Sequence, residues 1–143
     1  MTRALIMLAC ALLTACGQSE PQTIEFHEPP WAYNTPLGAE VAAVYFKLTV
    51  AEADTLLSAA TPIADQIEMH TSSEENGMMK MRPLKTASLE AGKPFSFEPG
   101  GAHFMLIGLR QPLVAGMQFP MTLRFDRLGE VTTQVRVVEL GSR

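Results

Sequence analysis

Two hydrophobic patterns divide the chain. The first is an uninterrupted apolar run at residues 4–13, with Arg3 before it and Leu13-Thr14-Ala15-Cys16 at its end. A transmembrane helix needs about 20 apolar residues, so this run is too short to serve as a stable anchor. A positive start, a short apolar stretch and small residues at its close are the layout of an export signal. The second pattern runs from residue 23 to residue 139. It consists of short segments that alternate apolar and polar side chains or are rich in β-branched and aromatic ones, at 23–26, 40–50, 54–60, 64–71, 78–82, 94–98, 102–109, 119–126 and 131–139. Pro62, Gly77, Pro83, Gly92, Pro99-Gly100-Gly101, Gly116 and Gly129 punctuate them. Many short strands at this spacing predict an all-β sandwich or barrel. After the leader there is no sustained helical period, internal repeat or low-complexity block.

The cysteine at the end of the leader changes the reading from secretion to anchoring. Bacterial lipoprotein processing requires small residues before a cysteine, and Cys16 then becomes the acylated first residue of the mature chain. Each buried acyl methylene contributes about 0.8 kcal/mol, so several chains hold a protein to a membrane essentially permanently. The competing reading is an ordinary secreted protein whose signal happens to contain a cysteine. Residues 17–22 form a short polar tether with a reach of at most about 3.3 to 3.6 Å per residue, which keeps the domain near its membrane. The expected division is a signal peptide at 1–15, lipidated Cys16 and tether at 16–22, and one β domain at 23–143.

Removal of the leader takes away Arg3, leaving ten of the eleven basic residues against fifteen acidic ones and a net charge of −5. That balance excludes nucleic acid as a partner, since nucleic-acid binding demands a basic surface. The remaining 128 residues are one domain's length, sufficient for a packed core, and a monomer is expected. Cys10 leaves with the leader and Cys16 is taken by lipid. No thiol then remains for a disulfide, so packing must supply the stability.

The candidate chemistry lies in His70, Met81, His103 and Met105. Ten residues separate the first two, twenty-one separate Met81 from His103, and one separates His103 from Met105, which puts the last two on one face of a strand. Thioethers are soft donors suited to copper(I), and imidazole suits copper in either oxidation state, so the set points to copper before zinc or magnesium. Methionine also fills irregular gaps in cores, and Met117 and Met121 are read that way. Met78, Met79 and Met81 crowd beside Gly77 in an expected hairpin, where alternation places Met79 and Met81 on one face and Met78 on the other. Spacing alone leaves Met81 equally readable as ligand or as packing. Met69, Met78 and Met79 are further thioethers that could assist. His70 precedes the polar run 71–76 and His103 follows a Pro-Gly-Gly turn, so both are expected where strands meet loops at one edge of the sandwich. His27 reads as a loop residue outside the site, and Trp31 as core packing rather than a cation-binding face.

With its surroundings, this spacing resembles the PCu(A)C family of periplasmic copper chaperones. The resemblance rests on Glu68-Met69-His70, on Gly77-Met78-Met79-Lys80-Met81-Arg82-Pro83, on Gly100-Gly101-Ala102-His103-Phe104-Met105-Leu106 and on Leu109-Arg110-Gln111-Pro112-Leu113. Trp31-Ala32 and Ala42-Ala43-Val44-Tyr45-Phe46 look like the family's opening strands, so it extends over residues 23–139. It implies a cupredoxin-like Greek-key β-sandwich and His70, Met81, His103 and Met105 as copper(I) ligands. It also implies delivery of the ion to the copper centre of a respiratory haem-copper oxidase, with a copper-accepting oxidase subunit and a Sco-type thiol chaperone as partners. Two features depart from the family. Thr71 stands where some members have a methionine directly after the first histidine, and the chain closes on Gly141-Ser142-Arg143 in place of a His- and Met-rich tail, so no second copper site is expected.

Enzymatic readings lack support: there is no Gly-x-Ser-x-Gly elbow, His-Glu-x-x-His helix, phosphate loop or thiol nucleophile. Glu68 and the pair Glu74-Glu75 are the nearest acid/base candidates, and acidic residues in a turn are ordinarily a solvated face. Blue-copper electron carriers need a cysteine thiolate beside two histidines, which the mature chain does not offer. The expected function is therefore an extracytoplasmic, membrane-anchored copper(I) chaperone. The alternatives are a periplasmic copper buffer and a structural or interaction lipoprotein. Gly17 carries no acidic cue for retention at the inner membrane, which leaves the choice of membrane open.

Overall fold

The computed structural model describes residues 23–143; the expected signal, Cys16 and the tether lie outside the described residues. Eleven strands make up the described fold: β1 (Ile24–Phe26), β2 (Trp31–Tyr33), β3 (Val41–Val50), β4 (Asp54–Ala60), β5 (Ala64–Glu75), β6 (Met78–Pro83), β7 (Ala87–Leu89), β8 (Phe95–Phe97), β9 (Ala102–Leu109), β10 (Gln118–Phe125) and β11 (Glu130–Val138). No helix occurs among the described residues. The hydrogen-bonded order is β6-β5-β9-β8-β3-β2-β11-β10-β4-β7, with β1 on β3 and a second pairing of β9 directly on β3. The β2–β11 and β8–β9 pairings are parallel and the others antiparallel. The all-β sandwich expected from the alternating segments is the fold observed.

Period-two alternation explains where the core sits. In β10, Phe119, Met121, Leu123 and Phe125 are buried and the residues between them are not; β3 does the same with Val44, Phe46, Leu48 and Val50. Phe46, Phe97 and Phe104 meet at its centre with ring centroids 4.7 to 5.5 Å apart. Each such side chain contributes roughly 1.5–3 kcal/mol by leaving water, so a core of this kind holds the domain without a disulfide. Asp54 is the buried carboxylate. It accepts backbone N–H bonds from Thr55, Arg127 and Leu128 at 2.7 to 2.9 Å, pinning the start of β4 to the turn between β10 and β11. Burial pushes its pKa up, but the three N–H donors and the nearby Arg127 outweigh it and hold the carboxyl below its usual range.

Most strand boundaries agree with the alternation to within one or two residues. β5 is the exception that matters. Instead of ending near residue 71, it continues through the polar stretch to Glu75, because β6 pairs with it from His70↔Pro83 to Glu75↔Met78. Asn76 and Gly77, with φ of 55° and 78°, close the hairpin. Two consecutive left-handed residues match the right-handed twist of the strands they join, which is why Asn-Gly is favoured there. The result is a two-stranded arm whose β6 residues are all exposed. A polar strand is stable in this setting because neither of its faces must enter the core. β2 and β7, three residues each, were not among the segments read from alternation.

Candidate metal centre

The register between β5 and β9 builds the site. His70 is paired directly with His103, Glu68 with Met105, and Met69 with Phe104. Directly paired residues share a face, so Met69 and Phe104 enter the core while Glu68, His70, His103 and Met105 occupy the opposite face. Met69, 6% exposed, is thus a packing residue. The imidazole centroids of His70 and His103 are 6.0 Å apart. His103 is the second residue of β9, beside the Pro-Gly-Gly turn as expected, whereas His70 lies inside β5; His103 is 5% exposed and the side chain of His70 is 13% exposed. An ion would approach them from the outer face of the sheet, beside the arm.

Hydrogen bonds define which nitrogen of each ring is free. The His103 Nδ1–H donates to the Gly101 carbonyl oxygen at 3.1 Å, which leaves Nε2 with its lone pair. The His70 Nε2–H donates to Glu68 Oε2 at 2.9 Å, so Nδ1 carries the lone pair; that atom is buried and has no hydrogen-bond partner. A buried polar atom without a partner costs about 1–3 kcal/mol, so it calls for a partner such as an ion. Histidines that bind metals characteristically donate the second ring N–H to a carboxylate or a carbonyl, the arrangement seen at both residues.

The thioethers fall into two groups by environment. Met121 is fully buried, and Met117 packs against the core, as expected of filler. Met78, Met79 and Met81 are 62%, 60% and 50% exposed, so packing does not account for them. The pairings Ser72↔Met81 and Glu74↔Met79 put both methionines on the face that carries His70, while Met78 lies on the reverse face, as alternation predicts. Met81 is diagonal to His70 on that face, one rung out along the arm from the His70↔Pro83 pair. Met105 is two residues from His103 on the other side of the pair. Among the described residues, no group of three or more His, Cys, Asp or Glu side chains is placed to hold an ion, so a donor set at this face draws on sulfur.

The other candidates separate cleanly. Glu75 is bound to Lys80 at 2.8 Å and to Arg82 at 2.5 Å on the reverse face of the arm, which removes it from any acid/base role beside His70. His27 shares a hydrogen bond with Thr49 Oγ1 at 2.7 Å, remote from the histidine pair in the sheet. Trp31 is 6% exposed, a packing residue as expected, outside the main apolar cluster. It lies on the outer side against Tyr33 and Tyr45, and the Arg143 guanidinium covers it at 5.1 Å from the ring centroid, so it does bind a cationic group. The signal for this was in the chain, since Trp31 and Tyr33 alternate with Ala32, but the covering Arg143 comes from the far end of the sequence. Tyr45 also reaches the site, with its ring centroid 6.4 Å from that of His103. Burial chiefly, and Tyr33 beside it, push the Tyr45 hydroxyl pKa up.

Comparison with known proteins bears on the family and the fold. The sequence profile of LpqE-like lipoproteins matches residues 25–137. The chain belongs to the LpqE-like family. A protein of Leifsonia xyli subsp. xyli (strain CTCB07), named as lipoprotein Lxx21020, is 35% identical over 72 residues, half of this chain and 43% of that protein's length. The match thus spans less than half of that relative. Among solved structures, the copper-bound PCuAC domain from PmoF2 superposes with a TM-score of 0.67 at 21% identity, covering 85% of this chain and 95% of that one. The apo PCuAC domain from PmoF1 has the same TM-score at 20% identity, with coverages of 82% and 94%. The copper(I) form of DR1885 from Deinococcus radiodurans has a TM-score of 0.61 at 25% identity, covering 87% and 83%. The cupredoxin-like sandwich expected from the resemblance is therefore the fold of this LpqE-like chain, and it is of the PCuAC type. Neither the family nor these neighbours are named for an enzymatic activity, in keeping with the reading of the chain as no enzyme.

Proposed function

We propose that this protein is an extracytoplasmic carrier of copper(I). It holds one ion through His70, Met81, His103 and Met105 and delivers it to the copper centre of a haem-copper oxidase, alone or together with a Sco-type thiol partner. The observation that carries the reading is the unpartnered Nδ1 of His70, on a ring whose centroid lies 6.0 Å from that of His103, where Nε2 makes no hydrogen bond. Two of the structural neighbours, by their titles, hold copper, one of them as copper(I). The lipoprotein names of the family and of the Leifsonia relative support anchoring outside the cytoplasm through Cys16.

The chemistry follows from the contrast between the donors. His103 is buried and His70 is 13% exposed, and Gly101 and Glu68 orient the two rings, whereas Met81 is half exposed on a flexible side chain. Copper(I) is d¹⁰ and accepts trigonal or tetrahedral sets, so a partner's thiolate or imidazole can replace the thioether while the imidazoles retain the ion. The nitrogens then let go in turn. This is ligand exchange, and no bond of the protein is made or broken.

Metal analysis of the purified protein tests the site: one copper(I) per chain, lost when the histidines and methionines are replaced by Ala. A stoichiometry that survives those changes would put the ion elsewhere. Delivery is tested by mixing the copper-loaded protein with a metal-free oxidase copper domain and following the ion. Failure to transfer, with or without a reduced Sco-type partner, would leave storage as the role. A buffer is the second reading, favoured if Cys16 directs the domain to a membrane away from the oxidase. Oxidase activity in a deletion strain, in scarce and then ample copper, separates the two.

A further inference from the structure

The β5–β6 arm has two chemically distinct faces. On the reverse face Lys80 and Arg82 are both bound to Glu75, so that face is ion-paired within itself. The face continuous with His70 carries Ser72, Glu74, Met79 and Met81 and no basic residue. Glu74 stands directly opposite Met79, and among the described residues it has no ion-pair partner. Met79, 60% exposed, lies one rung further out than Met81, toward the hairpin tip. An exposed thioether beside an unneutralised carboxylate, on the strand that leads to the histidine pair, is unnecessary for folding: Met79 packs against no core residue and Glu74 stabilises no partner.

We propose that Met79 and Glu74 form an entry station at which copper(I) is first captured and from which it passes to Met81 and then to His70 and His103. This rests on the reading of the histidine pair as the copper site. Coulomb attraction by Glu74 draws the cation to the arm, and the soft sulfur of Met79 supplies the first ligand. Same-face neighbours on a strand are about 7 Å apart at Cα, within reach of two long, unbranched side chains, so Met81 can take hold before Met79 releases. The sequence of exchanges moves the ion from solvent to the buried nitrogens without passing through free copper(I). No oxidation or reduction is involved. Segregation of Lys80 and Arg82 to the reverse face keeps positive charge off the path.

The test is the rate at which the purified protein takes copper(I) from its cationic tetrakis(acetonitrile) complex. Met79→Leu is expected to slow loading about tenfold, the loss of a donor held at high local concentration beside the site, while the equilibrium affinity for one ion stays within about threefold. Glu74→Gln is expected to slow loading about threefold and to remove most of its salt dependence. Met78→Leu, equally exposed on the reverse face, is the control and should load at the parent rate. In a silver(I) titration followed through methyl-labelled methionine, the Met79 methyl signal should shift in the parent and in the His70→Ala/His103→Ala protein alike. Equal loading rates for the parent and Met79→Leu, or an equal slowing in Met78→Leu, would overturn the entry station while leaving the histidine site intact. A parent protein that takes up no ion at its histidines, with Met79 still responding to silver, would instead overturn the reading of the main site.

Discussion

His70 and His103 stand directly opposite each other on adjacent antiparallel strands, with imidazole centroids 6.0 Å apart and ring planes at 74°. Each donates one ring N–H to a fixed acceptor, Glu68 for His70 and the Gly101 carbonyl for His103. The Glu68 carboxylate therefore sets the tautomer that frees His70 Nδ1. Glu68→Ala is expected to weaken copper(I) binding about 10- to 100-fold without moving the fold, as losses of such supporting carboxylates do. Competition against a copper(I) chelator measures the affinity, and circular dichroism checks the fold. An unchanged affinity would mean that the carboxylate does not orient the ring.

The donors are not equivalent. Nitrogen is the stronger donor in this set and its two rings are held in place, whereas Met81 is half exposed. His70→Ala or His103→Ala should reduce copper retention more than Met81→Leu or Met105→Leu. Retention during dialysis against a weak chelator ranks the four variants, and equal losses would contradict the division between anchoring imidazoles and exchangeable thioethers.

Acid should release the ion, because an imidazole must be neutral to ligate. Copper(I) affinity, followed from about pH 8 to about pH 5, is expected to fall with acid, because protons compete for imidazole nitrogen and not for thioethers. A flat profile over that interval would remove the histidines from the site.

Asp54 gives the apo fold its own acid sensitivity. Its pKa in the folded state is held below the ordinary value of 3.8, so its contribution to stability is fully present above that value. The contribution is lost as pH falls through the lower folded value. Asp54→Ala leaves three backbone N–H groups without their acceptor and should destabilise the domain by about 3 kcal/mol at neutral pH, with the difference from the parent shrinking in strong acid. Urea unfolding at pH 7 and again near pH 2.5 tests both parts. A difference that does not narrow in acid would show that Asp54 acts by packing and not through its charge.

Cys16→Ser is expected to release the protein from membranes while leaving folding and copper binding unchanged, since the β domain begins at residue 23 in the sequence pattern and its site lies far along the chain. Fractionation of cells expressing the two forms tests this. A parent protein found in the soluble fraction would refute the anchor.

What could be read from the chain was set by local chemistry. Alternation in β10 and β11, the turn at Gly77, and three methionines in four residues beside it each depend on near neighbours, so the strands, the hairpin and the split of Met79 and Met81 from Met78 were legible in advance. The site residues were legible as types at a family spacing, but not as an arrangement. Polar composition suggested that strand β5 ended soon after His70, whereas pairing with β6 extends it, because hydrogen bonds to a partner strand and not hydrophobicity hold an exposed arm together. Trp31 was read as packing, which its burial bears out, but the Arg143 guanidinium over its ring was not legible, because the parallel pairing of β2 with β11 brings it there.

The tertiary structure alone decided that His70 meets His103 across the β5–β9 ladder, that Glu68 and Gly101 choose the free nitrogen on each ring, and that His103 is buried while His70 stays partly exposed. Local periodicity carries the face on which a side chain stands, because that repeats every two residues. It carries no information on which distant strand lies alongside or in what register; those are set by how the whole set of buried faces packs together.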